Sequence, residues 1–175
     1  MSTILRTERL RLRPQTADDI DTIAAGLGDF DVARYLTVVP YPYTRQDAMD
    51  WVATLKPPRP EAAVFSIERD GTGMIGTVTL ANELGFWLAQ PYWGHGYMTE
   101  AARALLAWHF AETSADAVRS SAHVGNERSL AVQRKLGFVE RGTSIRYVRP
   151  LNREIEHVET VLTRDAFAAS QTGLR

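Results

Sequence analysis

Apolar and polar positions fall into blocks of two different periods along this chain, and the periods set out its elements. Arg9 to Arg13 reads RLRLR, the strict alternation of a half-buried strand, and Pro14 stops it. Thr16 followed by Asp19 is a capping-box signature, after which Ile20, Ile23, Ala24 and Leu27 give one helical apolar face closed by Gly28. Thr44 with Asp47 repeats the cap, and Ala48, Trp51, Val52 and Leu55 form the next face before Pro57 to Pro60 end it. The intervening segment, Asp29 to Tyr43, is rich in aromatics and prolines and reads as irregular.

Three strand-like runs follow: AVFSIER, MIGTVTL and ELGFWL. Their short connections, Asp70 to Gly73 and Ala81-Asn82, make them an antiparallel meander. A glycine-bearing loop then leads into a helix of about fifteen residues that carries Ala101, Ala102, Leu105 and Trp108. Val118 to Val124 reads as a strand, and Asn126 to Gly137 as a short helix ended by its glycine. Two alternating runs, Thr143 to Arg149 and Glu154 to Thr163, come last, and the small, polar tail 166–175 is expected to fray. Leu84–Leu88, the long helix and Val118–Val124 make one βαβ crossover, so those two strands are predicted to be parallel. The fold class is mixed α/β: one domain over residues 1–175, with a mostly antiparallel sheet of about seven strands and helices on both faces.

Composition narrows the function by exclusion. A chain of 175 residues buries enough surface to stand without staples, and with no cysteine it has neither disulfides nor thiolate metal sites. The net charge of -1 argues against nucleic acid or an anionic membrane as partner. No signal core or membrane-spanning run is present, so a cytoplasmic location is expected. His95, His109, His123 and His157 have no ligand spacing, so no metal is expected. Neither a GxSxG elbow nor a Walker loop occurs.

Two glycine motifs compete for a ligand. Gly71, Gly73 and Gly76 match GxGxxG letter for letter, but they turn one strand into another, whereas a dinucleotide fingerprint must open a helix. The stretch Trp93 to Met98, WGHGYM, stands between a strand and a helix N-terminus. Backbone N–H groups lack partners there and the macrodipole is positive, which suits an anion; a tight turn with nothing bound is the plain alternative.

These residues carry a resemblance. Trp93-Gly94-His95-Gly96-Tyr97-Met98-Thr99-Glu100-Ala101, then Asn126, Ser129 and Lys135-Leu136-Gly137-Phe138, are similar to the GNAT superfamily of acetyl-CoA-dependent N-acetyltransferases. With the opening Thr7 to Arg13, they resemble the branch of bacterial enzymes that acetylate the N-termini of ribosomal proteins. The likeness covers about residues 5 to 165. It implies that amides of Trp93, Gly94, His95, Gly96, Tyr97 and Met98 hold the coenzyme A pyrophosphate, with Thr99 in the same cofactor-binding turn. It implies that pantetheine lies beside Phe86, Trp87 and Leu88, between the strands Leu84–Leu88 and Val118–Val124. Two positions depart from the family pattern: Trp93 opens the loop where Gln or Arg is common, and Met98 stands where Gly or Ala is usual. If the Met98 side chain pointed at the loop it would crowd a phosphate.

The same resemblance implies a cofactor contact for Asn126 and a place near the thioester sulfur for Ser129. Read from the residues alone, Asn126 is an N-cap and Ser129 bonds locally. A tyrosine acid in many relatives corresponds here to Gln133, so Ser129 supplies the proton or none is needed; a thiol of pKa about 8.5 leaves as thiolate with little help. Glu83, opening the strand that flanks the thioester in relatives, is the candidate base, against the plainer reading of a solvated hairpin glutamate. Glu159 and Tyr147 are lesser candidates. Arg134 and Lys135, in a stretch from Arg128 to Arg153 with seven basic residues and one acid, are candidates for the 3′-phosphate.

The function expected is transfer of acetyl from acetyl-CoA to a primary amine, of a protein N-terminus or a small molecule, by direct attack in a ternary complex. The partners are then acetyl-CoA and the amine acceptor, with no nucleic acid and no membrane, in a monomer or homodimer. A non-catalytic acyl-CoA-binding or partner-binding module on the same fold is the alternative, and a nicotinamide enzyme built on DGTGMIG is a third.

Overall fold

The computed structural model describes residues 3–172. Its strands are β1 (Leu5–Arg6), β2 (Leu10–Pro14), β3 (Ala63–Arg69), β4 (Gly73–Leu80), β5 (Leu84–Leu88), β6 (Ala117–His123), β7 (Val139–Val148) and β8 (Arg153–Thr163). They form one open sheet in the order β1-β2-β3-β4-β5-β6-β8-β7. The β5–β6 pair is parallel and every other pair antiparallel, as the crossover requires. The helices are α1 (Ile20–Gly28), α2 (Phe30–Ala33), α3 (Arg45–Thr54), α4 (Tyr97–Glu112), α5 (Glu127–Leu136) and α6 (Arg164–Thr172).

Both faces of the sheet are covered. On one, Ala101, Ala102, Leu105 and Leu106 of α4 pack on Phe65, Ile67, Ile75 and Val78. On the other, Ile20, Ile23 and Leu27 of α1 join Val32, Ala48 and Met74, with Trp87 packed against them. Alternation along β5 explains the division: Leu84 and Leu88 enter the first cluster, while Trp87 enters the second.

Three elements differ from the sequence reading. Eight strands replace about seven, because β1 adds Leu5 opposite Leu12 and Arg6 opposite Arg11, and two residues carry no readable period. The irregular segment contains α2, one turn started by the Asp29 carboxylate, which accepts from Asp31 N at 2.9 Å. The tail expected to fray from Ala166 continues instead as α6. Phe167 is buried against Phe110, with ring centroids 5.3 Å apart, and the Arg164 guanidinium donates to the carbonyls of Phe110, Thr113 and Ala115 at the end of α4. Residues 173–175 of that tail lie outside the described residues.

GxGxxG is a hairpin. Gly71 and Gly73 take φ of 72° and 83° in the β3–β4 turn. Gly76 is needed for another reason: a Cβ there would lie 2.2 Å from the Trp87 carbonyl oxygen of the neighbouring strand.

One feature of the sheet positions the candidate site. Strand β5 keeps five residue pairs on β4, and β6 keeps seven on β8. Between β5 and β6 the register is the one pair Leu84↔Ser120, reinforced by the Ser120 hydroxyl donating to the Leu84 carbonyl at 2.8 Å. Past that point no further β5–β6 pair forms, and residues 85–88 part from residues 121–123.

Candidate functional site

The loop from β5 to α4 begins with a turn at Gln90–Tyr92, and Trp93 is fixed by its indole N–H donating to the Leu88 carbonyl at 2.8 Å. Gly94 and Gly96 both take left-handed φ, 78° and 79°, which a side chain resists. The first bond of α4 runs from Glu100 N to Gly96 O, so the amides of Tyr97, Met98 and Thr99 precede the intrahelical ladder. Met98 is 5% exposed and belongs to the core, so its side chain does not lie over these amides.

A latch holds the loop from outside. Glu100 accepts from Thr7 Oγ1 at 2.6 Å, from Arg9 N at 2.9 Å and from Arg9 Nε at 2.7 Å. Arg9 also donates to the His95 carbonyl and sits 4.6 Å over the Tyr97 ring. Burial acts to raise the Glu100 carboxyl, but the hydrogen bonds from Thr7 and Arg9 outweigh it and hold the group below its ordinary value.

Across the gap, α5 begins at Asn126, which caps the helix by accepting from Ser129 N at 3.3 Å. The N-cap reading is therefore realised, and the Asn126 amide N–H₂ group has no partner among the described residues. Ser129 is half-buried beside Gln133, whose Nε2 donates to it at 3.2 Å. Arg128 reaches back over the loop, with its guanidinium carbon 4.1 Å from the Trp93 ring centroid. It forms no ion pair among the described residues. The sequence carried a signal for it: a cation in the first turn of a helix opposes the dipole, so it needs another reason to be there.

The two other basic candidates on α5 are placed differently. Arg134 is tied to Glu127 at 2.8 Å and to Glu140 at 3.7 Å. Lys135 lines a groove of about 470 Å³ along α4 with Thr99, Glu100, Arg103 and Ala107. Arg103, which the sequence reading passed over, donates to the Lys135 carbonyl at 3.1 Å.

Glu83 lies just ahead of β5, on the opposite face of the sheet from α4 and α5. It is gripped by Arg146 of β7, which donates to its two oxygens at 2.8 and 3.0 Å and also to Glu159 of β8 at 2.7 Å. Those hydrogen bonds hold the Glu83 carboxyl below its ordinary value, against the opposing effect of burial. A carboxylate so engaged is a weak proton acceptor, and a well-placed anion. Next to this cluster, His123 and His157 pair across β6 and β8 with rings 4.5 Å apart, and Tyr35 sits 5.7 Å from His123. Burial, with His157 and Arg34 nearby, pushes His123 down to about 4. The segment after α2 is fastened to the β7–β8 connection by Arg149, which donates through its backbone N to Thr37 O and through its side chain to Val38 O. A shallow groove of about 210 Å³, lined by Pro40, Tyr41, Tyr147, Arg149 and Asn152, lies at that junction.

Comparison with known proteins bears on this geometry. The model of the acetyltransferase (GNAT) domain matches residues 9–139. The chain is 42% identical over 60 residues to YdaF of Bacillus subtilis (strain 168), which bears the name of a ribosomal N-acetyltransferase. That alignment covers 34% of this chain and 33% of YdaF, so the chain spans about a third of that relative. It is 26% identical over 163 residues to the N-acetyltransferase p20 of Bacillus licheniformis, covering 87% of this chain and 91% of p20. The fold superposes on Mycobacterium smegmatis RimJ in complex with CoA-disulfide with a TM-score of 0.79 at 21% identity, over 98% of this chain and 92% of that one.

Proposed function

The chain belongs to the GNAT family of acetyltransferases, and on that premise we propose that it moves acetyl from acetyl-CoA to a primary amine by direct attack in a ternary complex. The observation that carries the reading is the parting of β5 and β6 beside the unpaired amides of α4. An extended, amide-bearing pantetheine chain pairs in such a gap as a strand would, beside Phe86, Trp87 and Leu88. Its diphosphate then meets the amides from Gly94 to Thr99, with Arg128, stacked on Trp93 beside them and in no ion pair among the described residues, as a cation for it. Asn126 adds its amide hydrogens, and Lys135 with Arg103 serves the 3′-phosphate in preference to the already paired Arg134.

Ser129 faces the thioester at the vertex where the strands separate. The amine enters from the opposite face, where the Glu83 and Glu159 carboxylates are held by Arg146. Glu83 attracts and orients it and takes no proton. An α-amine of pKa about 7.7–8.0 is about 10–17% neutral at pH 7, enough for attack without a dedicated protein base, so solvent suffices. The nitrogen lone pair attacks the carbonyl carbon, the C–S bond breaks with its electron pair on sulfur, and the amine's surplus proton passes to water.

The test is release of free thiol from acetyl-CoA over a panel of N-terminal peptides, polyamines and amino acids. Turnover with at least one amine is expected. Thermal protection by acetyl-CoA without thiol release from any acceptor would instead favour a binding module.

A further inference from the structure

Gln133 is 1% exposed, and its side-chain amide has a partner for every hydrogen. Nε2 lies 3.2 Å from the Ser121 carbonyl and 3.2 Å from Ser129 Oγ, while Oε1 lies 2.6 Å from Thr160 Oγ1. The orientation of this amide is forced. Ser121 O is a carbonyl and can only accept, so the nitrogen must face it; a flipped amide would set oxygen against oxygen. Thr160, which can donate or accept, adapts by donating to Oε1.

The consequence falls on Ser129. Because Gln133 donates to it, the Ser129 oxygen uses a lone pair in that bond. Its own hydroxyl hydrogen has no acceptor among the described residues. Gln133 also ties α5 to β6 at Ser121, one residue past the Leu84↔Ser120 pair, where β5 and β6 separate. The single Thr160 hydrogen lies in the shorter contact to Oε1, and Thr160 Oγ1 stands 3.1 Å from the Ser120 carbonyl at the vertex.

We propose that Gln133 is a positioning residue that sets Ser129 as a dedicated hydrogen-bond donor toward the acyl sulfur. This rests on the acetyl-transfer reading above. In the step concerned, the N–C bond forms, the C–S bond breaks, and the sulfur takes the electron pair. The Ser129 O–H bond stays intact and its hydrogen stabilises the thiolate until coenzyme A leaves.

Two measurements test it. The first needs no amine: coenzyme A is bound to the protein and the ultraviolet absorbance of its thiolate is titrated with pH. A donor at the sulfur lowers the thiol's apparent pKa, so the wild type should titrate below Ser129→Ala. Gln133→Leu should titrate with Ser129→Ala, although its serine is intact. If Gln133→Leu titrates like the wild type, or if the wild type matches Ser129→Ala, the proposal is overturned.

The second is a double-mutant cycle on turnover. Ser129→Ala should lower kcat by about 10- to 100-fold, and Gln133→Leu by about tenfold, with KM for acetyl-CoA within about twofold of wild type. The double variant should be no slower than Ser129→Ala alone, whereas additive losses would sink the positioning role and leave the acetyl-transfer reading standing. Should Gln133→Leu not fold, the near-isosteric Thr160→Val releases Oε1 and must shift thiol titration and kcat in the same direction, to a smaller extent. A wild type that neither binds coenzyme A nor releases thiol would bring down both readings together.

Discussion

The guanidinium of Arg128 lies over the indole of Trp93, 4.1 Å from carbon to ring centroid, bridging the start of α5 to the glycine loop that opens α4. Stacking holds the cation by its face, and its N–H edge remains available to an oxyanion. Arg128→Ala is therefore expected to raise the acetyl-CoA dissociation constant by about tenfold, the scale of one charge-assisted hydrogen bond at a partly exposed site. Calorimetric titration at two salt concentrations checks it. The loss should shrink at high salt, and Arg128→Lys should recover only part of the affinity.

Arg146 holds Glu83 ionised across the working pH range. The pH profile of kcat/KM for an α-amine should then rise through the acceptor's own pKa near 8, with no limb set by this carboxylate. Glu83→Gln should raise KM for the amine by about tenfold and leave the shape of the profile unchanged. A profile that moves with Glu83→Gln would restore the general-base role.

Gly76 leaves no room for a methyl group, since its Cβ would sit 2.2 Å from the Trp87 carbonyl oxygen and 2.8 Å from Leu88 Cδ2. Gly76→Ala must push β5 off β4. A loss of about 1–3 kcal/mol is expected, or a Tm lower by roughly 2–12 °C, together with weaker acetyl-CoA binding because β5 lines the gap. Differential scanning calorimetry with and without acetyl-CoA separates the two effects.

His123 is kept neutral by burial, with a folded value of about 4 against an ordinary 6.5. The folded state refuses a proton that the unfolded chain accepts. Stability contributed by this group is whole above about pH 6.5 and is lost as pH falls from there toward 4. In that window the wild type should lose up to ~1.4 kcal/mol per pH unit more than His123→Phe, measured as urea midpoints across pH. Parallel pH dependences for the two proteins would remove His123 as the cause.

Much of this was legible in the chain itself. The crossover from Leu84–Leu88 to Val118–Val124 followed from the helix between them, and the Thr44–Asp47 capping box appears with Thr44 N on the carboxylate at 2.7 Å. The hairpin identity of Gly71 and Gly73 followed from the strand on either side. What escaped was set by distance in sequence. Arg146 meets Glu83 across 63 positions, and no local period records such a pair. Phe167 anchors a tail whose other described residues are small or polar. For Gln133 the sequence showed only what the side chain was not, an acid; its worth as a donor to Ser129 needed the Ser121 carbonyl to be seen beside it.

The sheet is in effect two plates hinged at Leu84 and Ser120, one of five strands and one of three. Whatever lies lengthwise in that seam supplies the rungs the backbone lacks and so works as mortar. Coenzyme A seated there, as proposed, should slow amide exchange in β5 and β6 before any chemistry has occurred.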